Sequence, residues 1–443
     1  MTQTRIAKIW LSNLGKVSLS FLTIAFIWSQ SAIAATDQRP EIKLRLMVEH
    51  SDNSRLESDP LGRDEFEINP ALDITYSFNA PRVKTDIEYT IEQRHYPRDT
   101  QDDKSDILGT GSLLFTLADQ NLFWNFYHNR SRLLISSNEA NTRANQTERQ
   151  LFNTGPSLRF NFDGDRSLNF NLSYIESSFS SGITNNSKQG RFDFRYEQPL
   201  TLKSALSVTG LYSDVTSDSA NQNYKSSRLG LELNGSSRNS TYSISVGGNM
   251  IDRDLGLSFS AAYLSLSALF NTEAGDWNFG LNRELTDSSV GLGLTSNLLD
   301  DFSQRDSDFA NTDVIERTRL EASYAKDIVP GRWAVNFNVF SDEQDYQTLL
   351  LDRQTIGARV TLKYFSTRRL RFEYRLSWAG RKIEDALNIN DRSTDITHRI
   401  ESWFNYNRML NLSFFVGQNR RFFASHTRDH DEMVVGFTVV LNI

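Results

Sequence analysis

The side chains with chemistry to offer are charges set at even spacings. Toward the C-terminus these are Arg317 and Arg319, Arg359 and Lys363, then Arg369, Arg371 and Arg375, and finally Arg399. Glu321, Glu373 and Glu401 are interleaved with them, and an earlier stretch, Lys84, Asp86, Glu88 and Glu92, is more acidic. Guanidinium presents a planar fork that suits carboxylates, and a charged wall of low dielectric raises the local concentration of counter-ions. Arranged on one surface, the basic set would attract anions. The same interleaving supports a second reading, in which Arg and Glu pair across neighbouring segments and hold a hydrated interior together.

Other chemistries find less support. The chain has six histidines, and their one cluster is His426-Thr427-Arg428-Asp429-His430-Asp431. Two histidines four apart share a metal on a helix, but a loop guarantees no such geometry, so no metal site is expected. His128 and His398 lie in segments that contain serines, yet a hydrolase needs nucleophile, base and orienting group in contact. No spacing singles out a triad, so neither a catalytic residue nor an enzyme is expected. There is no Gly-rich phosphate loop, no cysteine and therefore no thiolate metal site or disulfide framework, and no cofactor is implied. A formal net charge of -7 argues against a nucleic-acid partner.

An even spacing places side chains on one face of a β-strand, because successive residues point to opposite sides. The opposite positions must then be apolar, and they are. Ile42, Leu44, Leu46 and Val48 alternate with Lys43, Arg45, Met47 and Glu49, and Leu370, Phe372, Tyr374, Leu376 and Trp378 alternate with the arginines above. The last stretch, Glu432 to Ile443, puts Met433, Val435, Phe437, Val439, Leu441 and Ile443 on one face. A soluble protein avoids such an exposed apolar edge; a strand that closes a barrel in lipid has no edge. A mean hydropathy of -0.47 agrees with this reading, because a barrel needs apolar residues only at alternate wall positions.

Residues 1–34 read as a cleaved secretory signal: Arg5, Lys8 and Lys16, an apolar run from Val17 to Trp28, and a small-residue site at Ala32-Ile33-Ala34. Residues 35–443 would form one domain. Within it short connections, such as Asn79-Ala80-Pro81, Asp163-Gly164-Asp165 and Pro199-Leu200-Thr201, alternate with long polar loops, such as Thr286 to Asp313. The spacing predicts an all-β chain: a single antiparallel transmembrane β-barrel of about 20 strands (18 to 22), with short periplasmic turns and longer extracellular loops. Pro70 and Pro156 fall in strand-like segments and suggest bulges, and Val290 to Leu294 is a further short candidate strand. Trp124, Trp277 and Trp333, close after short turns, suit a membrane interface. Glu432 to Ile443 is expected to pair with Glu41 to Glu49 and close the wall. A soluble β-solenoid is the rival fold, but no fixed-period repeat supports it.

Several stretches resemble the outer-membrane β-barrel porins that accompany exosortase/PEP-CTERM and exopolysaccharide export systems in Gram-negative bacteria. They are Glu49 to Asn53, the Asp-rich loop before Ile107, Phe152 to Leu158 and Arg283 to Ser289. The resemblance implies a location in the outer membrane and passage of solutes or of a secreted polysaccharide. It also implies as partners the surrounding lipid, the barrel-assembly machinery and exopolysaccharide export components. The lumen-lining candidates are then Arg317, Arg319, Arg359, Lys363, Arg369, Arg371, Arg375, Arg399, Asp86, Glu88 and Glu92. The alternative is a non-transporting surface barrel whose long loops bind matrix or partners.

Overall fold

The computed structural model describes residues 40–56, 62–118, 121–135, 145–180, 185–218, 222–254, 256–287, 313–347, 351–385, 390–424 and 428–443. The expected leader, the candidate strand at Val290 to Leu294 and His426 lie outside the described residues. From Glu41 onward the described residues form twenty strands. The first ten are β1 (Glu41–Ser51), β2 (Glu65–Asn79), β3 (Val83–Arg94), β4 (Lys104–Ala118), β5 (Leu122–Leu134), β6 (Gln146–Phe162), β7 (Arg166–Phe179), β8 (Ser187–Thr201), β9 (Ser204–Ser217) and β10 (Tyr224–Ser236). The second ten are β11 (Ser240–Arg253), β12 (Ser258–Thr272), β13 (Gly275–Asp287), β14 (Val314–Val329), β15 (Trp333–Tyr346), β16 (Leu351–Phe365), β17 (Leu370–Asp385), β18 (Asn390–Asn405), β19 (Leu410–Phe423) and β20 (His430–Asn442).

Each strand pairs antiparallel with its sequence neighbour, and β1 pairs antiparallel with β20, so the sheet is a closed barrel of twenty strands. The expected seam is present: Leu44 stands opposite Leu441, Leu46 opposite Val439 and Val48 opposite Phe437. The Ile443 amide donates to the Ile42 carbonyl at 2.9 Å. Closure gives every strand two partners, which satisfies the backbone groups that lipid cannot.

Parity follows the register around the wall. The face of Leu44 continues through Leu72 of β2, Ile91 of β3 and, farther on, Phe170, Leu231, Ile244 and Leu266. Many of these large apolar side chains are exposed, as an outer wall covered by lipid requires. At the short-turn rim, Trp277 lies 4.5 Å from Tyr324 and Trp333 4.5 Å from Tyr364, centroid to centroid. Indole and phenol suit the membrane interface there.

Two details depart from expectation. No bulge occurs at Pro70 or Pro156. Pro70 pairs with Leu46, and on the other side the register runs unchanged from Ala71 opposite Glu92 to the bridge of Ile68 with His95, so its missing N–H interrupts the ladder without a bulge. Pro156 pairs with Trp124, while the ladder to β7 skips Gly155 and Pro156. The register shifts instead lie between Thr116 and Ala118, Pro199 and Thr201, and Asp327 and Val329, all at the short-turn rim. Tight connections need the extra twist that a bulge provides. As a result β8 runs through Pro199 to Thr201, and its turn is Leu202-Lys203.

Aromatic side chains lie over glycines on neighbouring strands. The buried Phe415 ring covers Gly436 directly across the β19–β20 pair, so that a Cβ on Gly436 would meet it at 2.2 Å. Gly436→Val is therefore expected to lower stability by about 1–3 kcal/mol through overpacking, read as a lower urea midpoint. Phe415→Leu in the same chain should restore part of the loss.

Candidate functional site: the charged interior wall

With the apolar belt outward, the intervening positions face the interior. Trp277, Phe279, Val335, Phe337 and Val339 point to lipid, so Asn278, Asn336 and Asn338 point in. The same parity places Arg317, Arg319, Glu321 and Ser323 of β14, Arg359, Thr361 and Lys363 of β16, Arg371, Glu373 and Arg375 of β17, and Arg399 and Glu401 of β18 on the inner face. Asp86, Glu88 and Glu92 of β3 share that face. Arg369 is different: it precedes β17 in the short turn, where its amide donates to Thr367 Oγ1 at 3.1 Å.

The basic candidates divide into two groups. Arg317 is buried and donates from Nε to Asp342 Oδ1 at 2.9 Å, and Arg319 Nη1 reaches the same carboxylate at 3.4 Å. Both are committed to a buried carboxylate on β15 and serve to hold the wall. Nearer the short-turn rim, Arg359, Lys363 and Arg375 line a cavity of about 380 Å³ together with Glu321, Glu373 and the neutral side chains Asn278, Ser323, Asn336, Asn338 and Thr361. Three cations face two carboxylates there, so the cavity carries an excess of one positive charge. Arg375 Nη2 lies 2.8 Å from Glu373, and Lys363 Nζ lies 4.0 Å from it. Beyond the cavity, Arg371 stacks over Trp403 at 4.1 Å and Arg399 over Phe415 at 3.9 Å, with Arg399 also 3.2 Å from Glu401. Both readings of the charges thus describe part of the wall: buried pairing dominates around Asp342, and cations outnumber carboxylates at the cavity.

Sequence reasoning passed over the amides and hydroxyls of this cavity. Their signal was weak but present, since Asn278, Asn336 and Asn338 alternate with the aromatic and β-branched residues of the outer belt. Neutral polar groups that can donate and accept, set among cations, suit a hydroxyl-bearing anionic solute.

Glu92 has another role. The ladder between β4 and β5 ends at Gly109 opposite Arg130, and above that point the strands part. Arg130, Arg132 and Glu148, which parity assigns to the outer face of β5 and β6, instead meet Lys104, Asp106 and Glu92 from the inner face of β3 and β4. Lys104 Nζ lies 2.6 Å from Glu148, Arg130 Nη2 lies 2.6 Å from it, and Arg132 Nη2 lies 2.6 Å from Glu92. Arg132 also contacts Asp106. The upper part of β5 is therefore tucked inside β4, and three cations balance three carboxylates across the overlap. Removing one carboxylate leaves charges without compensation in a half-buried place. Glu148→Gln should cost about 2–3 kcal/mol, measured by urea unfolding in lipid vesicles.

The two histidines considered for hydrolysis lie on the outer face, each bonded to a tyrosine. His128 Nδ1 is 2.5 Å from Tyr89 Oη, and His398 Nδ1 is 2.9 Å from Tyr374 Oη. Among the described residues no group of three or more His, Cys, Asp or Glu could hold a metal ion.

No protein-family model and no curated protein matches the chain. Solved structures do. The siderophore receptor PirA of Pseudomonas aeruginosa matches with 11% identity and a TM-score of 0.48, over 92% of this chain and 81% of that one. The FrpB iron transporter of Neisseria meningitidis (F5-1 variant) matches with 10% identity and a TM-score of 0.44, over 93% and 84%. OccK2 (OpdF) of P. aeruginosa matches with 10% identity and a TM-score of 0.41, over 92% and 98%. At such identity the likeness is one of fold, and the wall chemistry described above is this chain's own.

Proposed function

We propose that this protein is an outer-membrane channel whose lumen passes small polar solutes and favours anions, with hydroxylated anions the best fit. The observation that carries this reading is the cavity at Arg359, Lys363 and Arg375, where an excess of positive charge sits among amides and hydroxyls on the inner face. Size supports it as well. Barrels of roughly 16 to 18 strands already leave an aqueous channel, and this wall has twenty. The short turns then face the periplasm and the long loops the exterior. Acidic sugar units present the chemistry that such a wall accommodates, which agrees with the passage of a secreted polysaccharide and with exopolysaccharide export partners, as the family resemblance implies. The barrel-assembly machinery would read the closing strand, β20.

The test is reconstitution into planar bilayers, with reversal potentials in a salt gradient and block by glucuronate compared with glucose. Anion preference and block by the acidic sugar alone are expected. Cation preference, or equal block by both sugars, would defeat the reading.

A further inference from the structure

A second overlap lies between β12 and β13, and its chemistry is the opposite of the first. The ladder between these strands runs from Thr272 opposite Gly275 up to Leu264 opposite Arg283 and stops. Yet β12 continues to Ser258, paired only with β11, and β13 continues to Asp287, paired only with β14. The upper part of β13 leans inward behind β12. Leu285 belongs by parity to the outer set of Trp277, Phe279 and Leu281, yet it is only 4% exposed. It joins an apolar cluster with Ile251 of β11, Tyr224 of β10, Val215 of β9 and Val314, against which Phe259 and Ala261 of β12 pack. Parity puts Val215, Tyr224, Ile251, Phe259 and Ala261 on the inner face, so the outside of β13 meets the inside of its neighbours.

Polar ties cross this overlap as well. The Leu285 carbonyl, left without a β12 partner, accepts from Asn249 Nδ2 at 2.9 Å. Arg228 reaches Glu284 at 3.4 Å and Arg253 reaches Asp313 at 3.2 Å. The β4–β5 overlap has instead a dense ion network with contacts of 2.6 Å. Apolar side chains that slide past one another lose little if an alkyl chain replaces their contacts, whereas separating paired charges in lipid is costly. Of the two overlaps, the β12–β13 one has the apolar centre, formed by Leu285, Ile251, Val215 and Val314.

Its outer side is also open. A cavity of about 570 Å³ is lined by Ser227, Gly248, Met250, Ser260 and Ala262, all of the outer set, with Asn249 and Ala261 behind them. A Cβ placed on Gly248 would meet nothing within 4 Å. Asn249 and Ala261 belong both to this hollow and to the overlap, so the hollow adjoins the apolar cluster. An outer hollow on the lipid side and an apolar seam behind it lie in sequence through the wall.

We propose that the β12–β13 overlap is a lateral portal, through which the alkyl part of an amphipathic molecule passes between the lumen and the outer leaflet. The proposal rests on the channel reading above for its lumen. It adds a class of ligand, long-chain aliphatic carboxylates, which the polar cavity near the short turns would not hold.

The experiment uses the full-length protein in vesicles and a dodecanoate bearing a terminal diazirine, supplied from the bilayer. Photolabelling, mapped by mass spectrometry, is expected at Met250 and Ser260 on the outside and at Tyr224 and Ile251 on the inside. The native chain has no cysteine, so a pair introduced by Ala261→Cys with Leu285→Cys can be bridged alone by a short bis-thiosulfonate. The bridged protein should lose inner labelling at least tenfold, keep outer labelling, and retain the potassium chloride conductance of the unbridged protein. Gly248→Leu, which fills the outer mouth and needs no bridge, should reduce both labels. Labelling confined to the outer hollow in the native protein, or inner labelling unchanged in both variants, would overturn the portal. Conductance and its selectivity are read separately, so failure of the portal is distinct from failure of the channel.

Discussion

Phe437→Arg is expected to lower the stability of the barrel by about 2–4 kcal/mol, and Thr438→Arg, one residue farther on, by much less. Phe437 is exposed on the outer face opposite Val48 and Phe414, near the middle of the closing strand, so an arginine there must sit in the hydrocarbon. Thr438 stands opposite Met47 and Ser413 on the inner face, where a guanidinium remains hydrated. A slip of one residue in the β1–β20 register would exchange the two results, because side chains alternate with a period of two. Urea unfolding in lipid vesicles measures both. Equal losses would contradict the assignment of faces on which the interior site depends.

Arg359→Glu with Arg375→Glu is expected to invert selectivity. The native cavity has three cations against two carboxylates; the double variant has one against four. Both positions lie on the inner face, where the low-dielectric wall concentrates the field of each charge. The anion-to-cation permeability ratio should fall by about tenfold or more, read as a change in sign of the reversal potential under a salt gradient. Arg317→Gln serves as the contrast. Its side chain is buried against Asp342, so its removal should lower stability and leave selectivity nearly unchanged. An unaltered ratio in the double variant would remove the cavity from the account.

Much of the fold was legible because barrel walls are written in period two. The alternation in Glu432 to Ile443, together with the count of short turns, was enough to place β20 against β1. The site was legible only in part. Parity is a property of the sequence, so the strand-borne candidates from Arg317 to Arg399 share one face with Asp86, Glu88 and Glu92. Which cations are spent on partners is a property of neighbouring strands, and the Asp342 carboxylate that holds Arg317 and Arg319 lies about two dozen residues away on β15. Arg369 shows the limit of parity, because the pattern continues one residue past the strand into the turn. The two overlaps were not read from the sequence. Charges at outer-parity positions, Arg130 and Arg132 in β5 and Arg283 in β13, break the apolar alternation there, but only the loss of a ladder partner shows that these strands have turned inside a neighbour.

The most direct test of the account is the single-channel behaviour of the native protein in a planar bilayer. Discrete conductance steps with anion preference are predicted, because twenty closed strands enclose a wall whose cavity carries more cations than carboxylates. A correctly folded barrel that gives no steps would contradict the channel itself, and one that prefers cations would contradict the role assigned to Arg359, Lys363 and Arg375.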